Sequence, residues 1–78
     1  MKCWYIILSD SEQKCDFVSL QASGGFVTLK WPTGVNVKIR IHNFKVDYNK
    51  ALNGEEVTAF AMSSKNRRIG KPIKIIFK

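Results

Sequence analysis

A chain of 78 residues is long enough for one domain, and its composition, 45% hydrophobic and 24% charged, excludes a disordered or membrane-embedded class. The formal net charge is +7, from thirteen basic and six acidic residues. Up to Gly25 there are two basic and three acidic residues, whereas eleven basic and three acidic residues follow. The second part should therefore attract phosphate groups or an acidic protein surface.

The first two predicted strands are Lys2–Leu8 and Lys14–Gln21, separated by the polar turn Ser9–Gln13. Aromatic and β-branched residues crowd the first strand, which favours a strand covered on both faces. The second alternates less cleanly, so its inward face stays undecided. The N-terminal apolar run is too short for a secretory signal, and no run is long enough to span a membrane, so a cytoplasmic protein without a membrane partner is predicted.

The two cysteines are predicted to be free thiols. If Leu8 pairs near Lys14, Cys3 lies opposite about Ser19, several residues out of register with Cys15. This fits a reducing compartment. The cysteines lack the spacing of a zinc site and His42 is the only histidine, so no metal or other cofactor is predicted.

The stretch 25–41 predicts a β-hairpin around the turn Pro32–Gly34. Apolar and polar residues alternate with a period of two on both sides of the turn. If Trp31 faces Val35, all apolar residues fall on one side of the hairpin. The predicted inner face is Val27, Leu29, Trp31, Val35, Val37 and Ile39, and the outer face carries Phe26, Lys30, Lys38 and Arg40.

After Ile41 the apolar residues shift to even positions, at Phe44, Val46 and Tyr48, which predicts a bulge followed by another strand. No window shows the spacing of an amphipathic helix, and at most one helical turn is expected at residues 50–52. Asn53 and Gly54 form a strong turn pair.

The C-terminal third predicts two more strands around a basic loop. Glu55–Met62 is the first strand, Ser63–Lys71 is the loop, and the last strand begins at Pro72 with alternate apolar residues facing inward. The whole chain, residues 1–78, is thus predicted to be a single all-β domain with six or seven short strands. The expected architecture is a small antiparallel β-barrel or sandwich, SH3-like or OB-like.

The candidate binding residues are the outer hairpin face together with the cations of the loop: Phe26, Lys30, Lys38, Arg40, Lys65, Arg67, Arg68 and Lys71. Cations beside an aromatic ring are typical of proteins that bind single-stranded nucleic acid, because bases stack on rings while phosphates meet Lys and Arg. The alternative is an ordinary solvated surface whose charges serve solubility.

No glycine-rich phosphate loop, nucleophile elbow or paired carboxylates occur, so the chain is predicted not to be an enzyme. The leading hypothesis is a nucleic-acid-binding module, for DNA or RNA, that contacts mainly the backbone. The alternative is a small accessory or phage-type inhibitor or adaptor that docks on an acidic surface of a larger complex. A third hypothesis is a homodimer formed through the edge of the last strand.

Overall fold

The computed structural model describes all residues, Met1–Lys78. The elements are β1 (Trp4–Leu8), β2 (Ser11–Gln21), a short 3-10 turn (Ala22–Gly24), β3 (Phe26–Lys30), β4 (Asn36–Ile41), α1 (Phe44–Leu52), β5 (Val57–Met62) and β6 (Arg68–Phe77). Each strand pairs with the next, all pairs are antiparallel, and β6 returns to pair with β1. The predicted all-β fold is confirmed as a closed barrel of six strands.

The barrel interior is filled by one apolar cluster, contributed by alternate residues of the strands and by one helical residue. Its members are Trp4, Ile6, Cys15, Val27, Leu29, Ile39, Ile41, Ala51, Val57, Ala59 and Ile75. No polar or charged residue is buried. Because burial of one large apolar side chain contributes about 1.5–3 kcal/mol, this cluster is the main source of stability.

The central hairpin has the predicted register. Val27 lies opposite Ile39 and Phe26 lies opposite Arg40. The Trp31 N–H donates to the Val35 carbonyl at 2.9 Å, and Gly34 takes a positive φ of 91° in the turn. The prediction that Val35 belongs to the core is wrong, because it lies beyond the end of β4 and its side chain is exposed.

The β1–β2 turn is tighter than predicted, since Leu8 pairs with Ser11 and only two residues lie between them. Ser9 makes this turn by adopting a φ of 54°. Trp4 therefore pairs with Cys15, and the predicted position of Cys3 opposite Ser19 is wrong. Both thiols are free, as predicted, and burial raises the pKa of the Cys15 thiol.

The strand predicted after Ile41 is wrong, because residues 44–52 form the helix α1. Phe44, Tyr48 and Ala51 are spaced by four and three residues, so they share one helix face. The Phe44 and Tyr48 rings stack at 5.0 Å between centroids, Tyr48 continues onto Trp4 at 6.1 Å, and Ala51 is fully buried. The helix thus closes one end of the barrel.

The predicted loop Ser63–Lys71 is shorter in the structure, because β6 begins at Arg68. The β5–β6 register shifts between the pairs Ala61–Ile69 and Ala59–Ile73, which is a bulge. Pro72 falls inside this bulge, where a strand can lack an N–H donor. β6 is paired with β5 on one side and β1 on the other, so the predicted free edge of the last strand does not exist.

Candidate functional site

The outer surface of β3–β6 gathers basic side chains from separate strands. Lys38 of β4 lies opposite Met62 of β5, which in turn lies opposite Arg68 of β6. Arg40 is the next outward-facing residue of β4 after Lys38, and it lies between Phe26 of β3 and Phe60 of β5. This surface, with the neighbouring loop 63–67, is called the cationic face, and its cations are Lys30, Lys38, Arg40, Lys65, Arg67 and Arg68.

The loop is joined to the hairpin by one side-chain contact. The Lys38 ammonium donates a hydrogen bond to Asn66 Oδ1 at 2.8 Å. The loop itself is a tight turn, since Ser63 Oγ accepts the backbone N–H groups of Lys65 and Arg67, both at 3.2 Å. The hairpin surface and the loop therefore form one continuous surface.

Two cations of this surface lie over aromatic rings. The Lys38 nitrogen is 4.7 Å from the centroid of the Phe26 ring, and the Arg68 guanidinium carbon is 3.8 Å from that of Phe60. Such contacts favour defined side-chain positions. An arginine that lies on a ring keeps the N–H donors at its edge free for a phosphate, because those donors lie in the guanidinium plane.

The Phe26 ring is half-buried and packs closely against the turn before β3. A Cβ atom at Gly24 would lie 2.5 Å from two ring atoms, so only glycine fits there beside the ring. The Lys38 ammonium occupies the position over the ring. Stacking of a base on Phe26 would therefore require Lys38 to move off the ring, for example towards a phosphate.

A polar depression adjoins Arg40 at the end of the barrel that α1 covers. It has a volume of about 320 Å³, and its lining includes Ser23, Arg40, His42 and Lys45. The N-terminus of α1 borders it, and the free N–H groups of a helix N-terminus favour anions. His42 and Lys45 were not among the predicted site residues, because the helix that places them there was not predicted.

Lys71 lies within the bulge of β6, between Ile69 and Ile73, and not among the other predicted site residues. It lines an apolar cavity of about 540 Å³ at the open end of the barrel, opposite α1. Trp31, Ile69 and Pro72 also line this cavity, and Ile69 is 55% exposed. The indole N–H of Trp31 is buried and has no hydrogen-bond partner.

Acidic side chains lie mostly away from the cationic face. Asp16 is the exception, because it stands opposite Lys30 on the neighbouring strand β2. The one ion pair of the structure, Lys78 with Glu12 at 2.7 Å, lies elsewhere on the barrel. It raises the pKa of Lys78 through the hydrogen bond from its ammonium to that carboxylate. The cations of the face are therefore largely uncompensated, and only Lys30 at its margin has an acidic neighbour.

Phe60, Met62 and Asn66 belong to the cationic face but were not predicted as site residues. Phe60 is buried, but it lies on the outer side of the barrel beneath Arg68. The signal was present in the alternation of β5, where Val57 and Ala59 point inward and Phe60 therefore points outward.

Comparison with protein-family models, curated proteins and solved structures finds no match to this chain. The single helix has nine residues, and no helix is long and apolar enough to cross a membrane. No group of three or more His, Cys, Asp or Glu side chains comes together. Function is therefore inferred from the geometry and charge of the cationic face.

Proposed function

We propose that the chain binds nucleic acid through contacts between its cationic face and the phosphate backbone. The observation that carries this proposal is the hydrogen bond between Lys38 and Asn66, which joins the hairpin and the loop. Strand pairing places four cations on one side of the small barrel, and this hydrogen bond holds the loop that carries Lys65 and Arg67 beside them.

Phosphate contacts of this kind fix position but carry little sequence information. Lysine and arginine neutralise phosphates and release condensed counterions, which makes the affinity strongly dependent on salt. The depression beside Arg40 offers a place where a phosphate can meet Arg40, Lys45 and the N-terminus of α1 together. The Phe26 ring becomes available to a base when Lys38 turns to a phosphate, which favours a single strand over a duplex.

The proposal predicts a steep salt dependence. Four to six phosphate contacts give a slope of log affinity against log salt of about −3 to −5, at roughly 0.7–0.9 per contact. Between low and physiological salt the affinity should fall by about 100-fold. Fluorescence anisotropy with labelled single-stranded and double-stranded oligonucleotides over a salt series measures this directly. Absence of binding at low salt, or a flat salt series, would contradict the proposal.

The apolar cavity at the open end of the barrel favours a second candidate, a module that docks on another protein. A charged phosphate backbone gains no favourable contact from an apolar cavity. A protein, in contrast, could insert an apolar side chain there and place a carboxylate near Lys71. Its acidic surface would then meet the cationic face. An accessory, inhibitor or adaptor role would follow from such docking.

The second candidate predicts partners that remain bound after nuclease treatment and depend on Ile69. Ile69→Asp should abolish their capture from a native lysate, because it places a charge in the apolar cavity. Val46→Asp is the matched control, since Val46 is a similarly exposed apolar residue on α1 at the other end of the barrel. Release of every partner by nuclease, or equal loss in both variants, would contradict protein docking through the cavity.

A further inference from the structure

One half of β2 has a backbone edge without a strand partner. β2 runs over eleven residues, but β1 pairs with only the first five of them, Ser11–Cys15. Residues 16–21 pair with β3 on one side only. No backbone hydrogen bond joins residues 1–3, which precede β1, to residues 16–21. Residues 16–21 are called the β2 overhang.

The β2 overhang exposes large apolar side chains. Phe17, Val18 and Leu20 are 51%, 44% and 40% exposed, so three of the seven exposed large hydrophobic residues lie within four positions. Phe17 and Leu20 lie opposite the core residues Leu29 and Val27. They therefore continue the inner apolar surface of the barrel past the point where β1 ends.

The β2 overhang has a bulge between Phe17 and Ser19, but it lacks the other usual protections of an edge strand. Natural edges carry lysine or proline, or are kept very short, because unpaired N–H and C=O groups recruit other strands. Residues 15–29 contain no Lys, Arg or Pro, although the chain carries a net charge of +7. Two copies can consequently approach along this edge without bringing cations of the two β2 strands together.

We propose that the β2 overhang pairs with the β2 overhang of a second copy of this chain, antiparallel and about a two-fold axis. A register centred between Val18 and Ser19 sets Phe17 against Leu20 of the second copy and Asp16 against Gln21. No like charges face each other, Phe17 and Leu20 each gain an apolar neighbour, and Val18 faces Ser19 of the second copy. Two identical edges also satisfy each other's free backbone groups, which favours a second copy over an unrelated segment.

In this dimer the sheet continues from β4, β3 and β2 of one copy into β2, β3 and β4 of the other. A two-fold axis perpendicular to the sheet leaves the outer surfaces of both copies on the same side. The two β3 strands are then three strand spacings apart, roughly 14 Å. The two cationic faces would therefore lie near each other on one side of the dimer, although the dimer itself does not depend on nucleic-acid binding.

The test is a concentration series followed by sedimentation velocity or light scattering. The wild type should move from a mass of 8.9 kDa towards twice that value as its concentration rises. Val18→Lys should weaken the dimer by about 10-fold or more, because it puts a charge on the pairing edge. The matched control is Val46→Lys, an equally drastic change at a valine of similar exposure, 48% against 44%, which should dimerise like the wild type.

A monomer throughout the accessible concentration range would overturn the proposal, as would equal weakening in the two valine variants. Circular dichroism establishes that both variants fold. Salt separates this inference from the proposed function, because screening strengthens the contact between two copies that each carry +7 and weakens phosphate binding. Hydrogen exchange should show protection of amides in residues 16–21 that increases with protein concentration.

Discussion

Reversing the charge of Arg40 and Arg67 together, by Arg40→Glu and Arg67→Glu, is expected to weaken oligonucleotide binding by about 100-fold near physiological salt. Both side chains are exposed, one on β4 and one in the loop that Asn66 holds beside Lys38. The double variant removes two phosphate contacts and adds two repulsive charges. The slope of the salt series should also fall by about two, and anisotropy measures both quantities.

The control for this experiment is the double variant Lys2→Glu and Lys50→Glu. It changes the net charge by the same amount, but Lys2 precedes β1 and Lys50 lies on α1, so neither belongs to the cationic face. Only the long-range attraction should decrease, with a loss of several-fold at most and an unchanged slope. Equal losses in the two double variants would mean that net charge, and not this surface, is responsible for binding.

Replacement of Ile39 by alanine is expected to cost about 2–5 kcal/mol of unfolding free energy. Ile39 is fully buried in β4, between Val27 on β3 and Ala61 on β5. The substitution leaves a cavity, and the neighbouring strands β3 and β5, which are held in the closed barrel, cannot move in to fill it. A domain of this length is expected to have a stability of only about 4–12 kcal/mol, so the variant should be partly or wholly unfolded at 37 °C.

Urea denaturation of Ile39→Ala and of Ile69→Ala measures this effect with the same chemical deletion at two sites. Ile69 is half-exposed at the open end of the barrel, so its loss should cost less than about 1 kcal/mol. The midpoint of Ile39→Ala should therefore lie far below that of Ile69→Ala. Similar midpoints would contradict the position of Ile39 at the centre of the core.

The parts of the fold that follow from local alternation could be predicted from the sequence. The β3–β4 register needed only the period of two on both sides of a turn. The helix α1 was missed because the local pattern allows two interpretations. Phe44, Val46 and Tyr48 have the two-residue spacing of a strand. Phe44, Tyr48 and Ala51 have the spacing of one helix face. Packing against Trp4, which is distant in sequence, favours the helical alternative.

The residue types of the candidate site could be predicted from the sequence, but the way in which the fold brings these residues together could not. Lys38 and Asn66 are separated by 28 positions, and the pairing of β4 with β5, which sets Lys38 opposite Met62, brings them together. Lys71 lies within the bulge of β6 and lines the apolar cavity, and nothing in the local sequence fixes the register of that bulge. The β2 overhang depends on the unequal lengths of β1 and β2, which a pattern within one strand does not reveal.

The ladder between β1 and β6 has a further consequence for how the protein is made. It pairs residues 4–7 with residues 74–77, and Cys3 and Lys78 exchange hydrogen bonds at 2.8 and 3.0 Å. The four ladders that join consecutive strands from β1 to β5 can form early, whereas the β5–β6 and β1–β6 ladders must wait until β6 has left the ribosome. During synthesis, the nascent chain therefore carries an open sheet with an uncovered apolar interior until its final strand arrives.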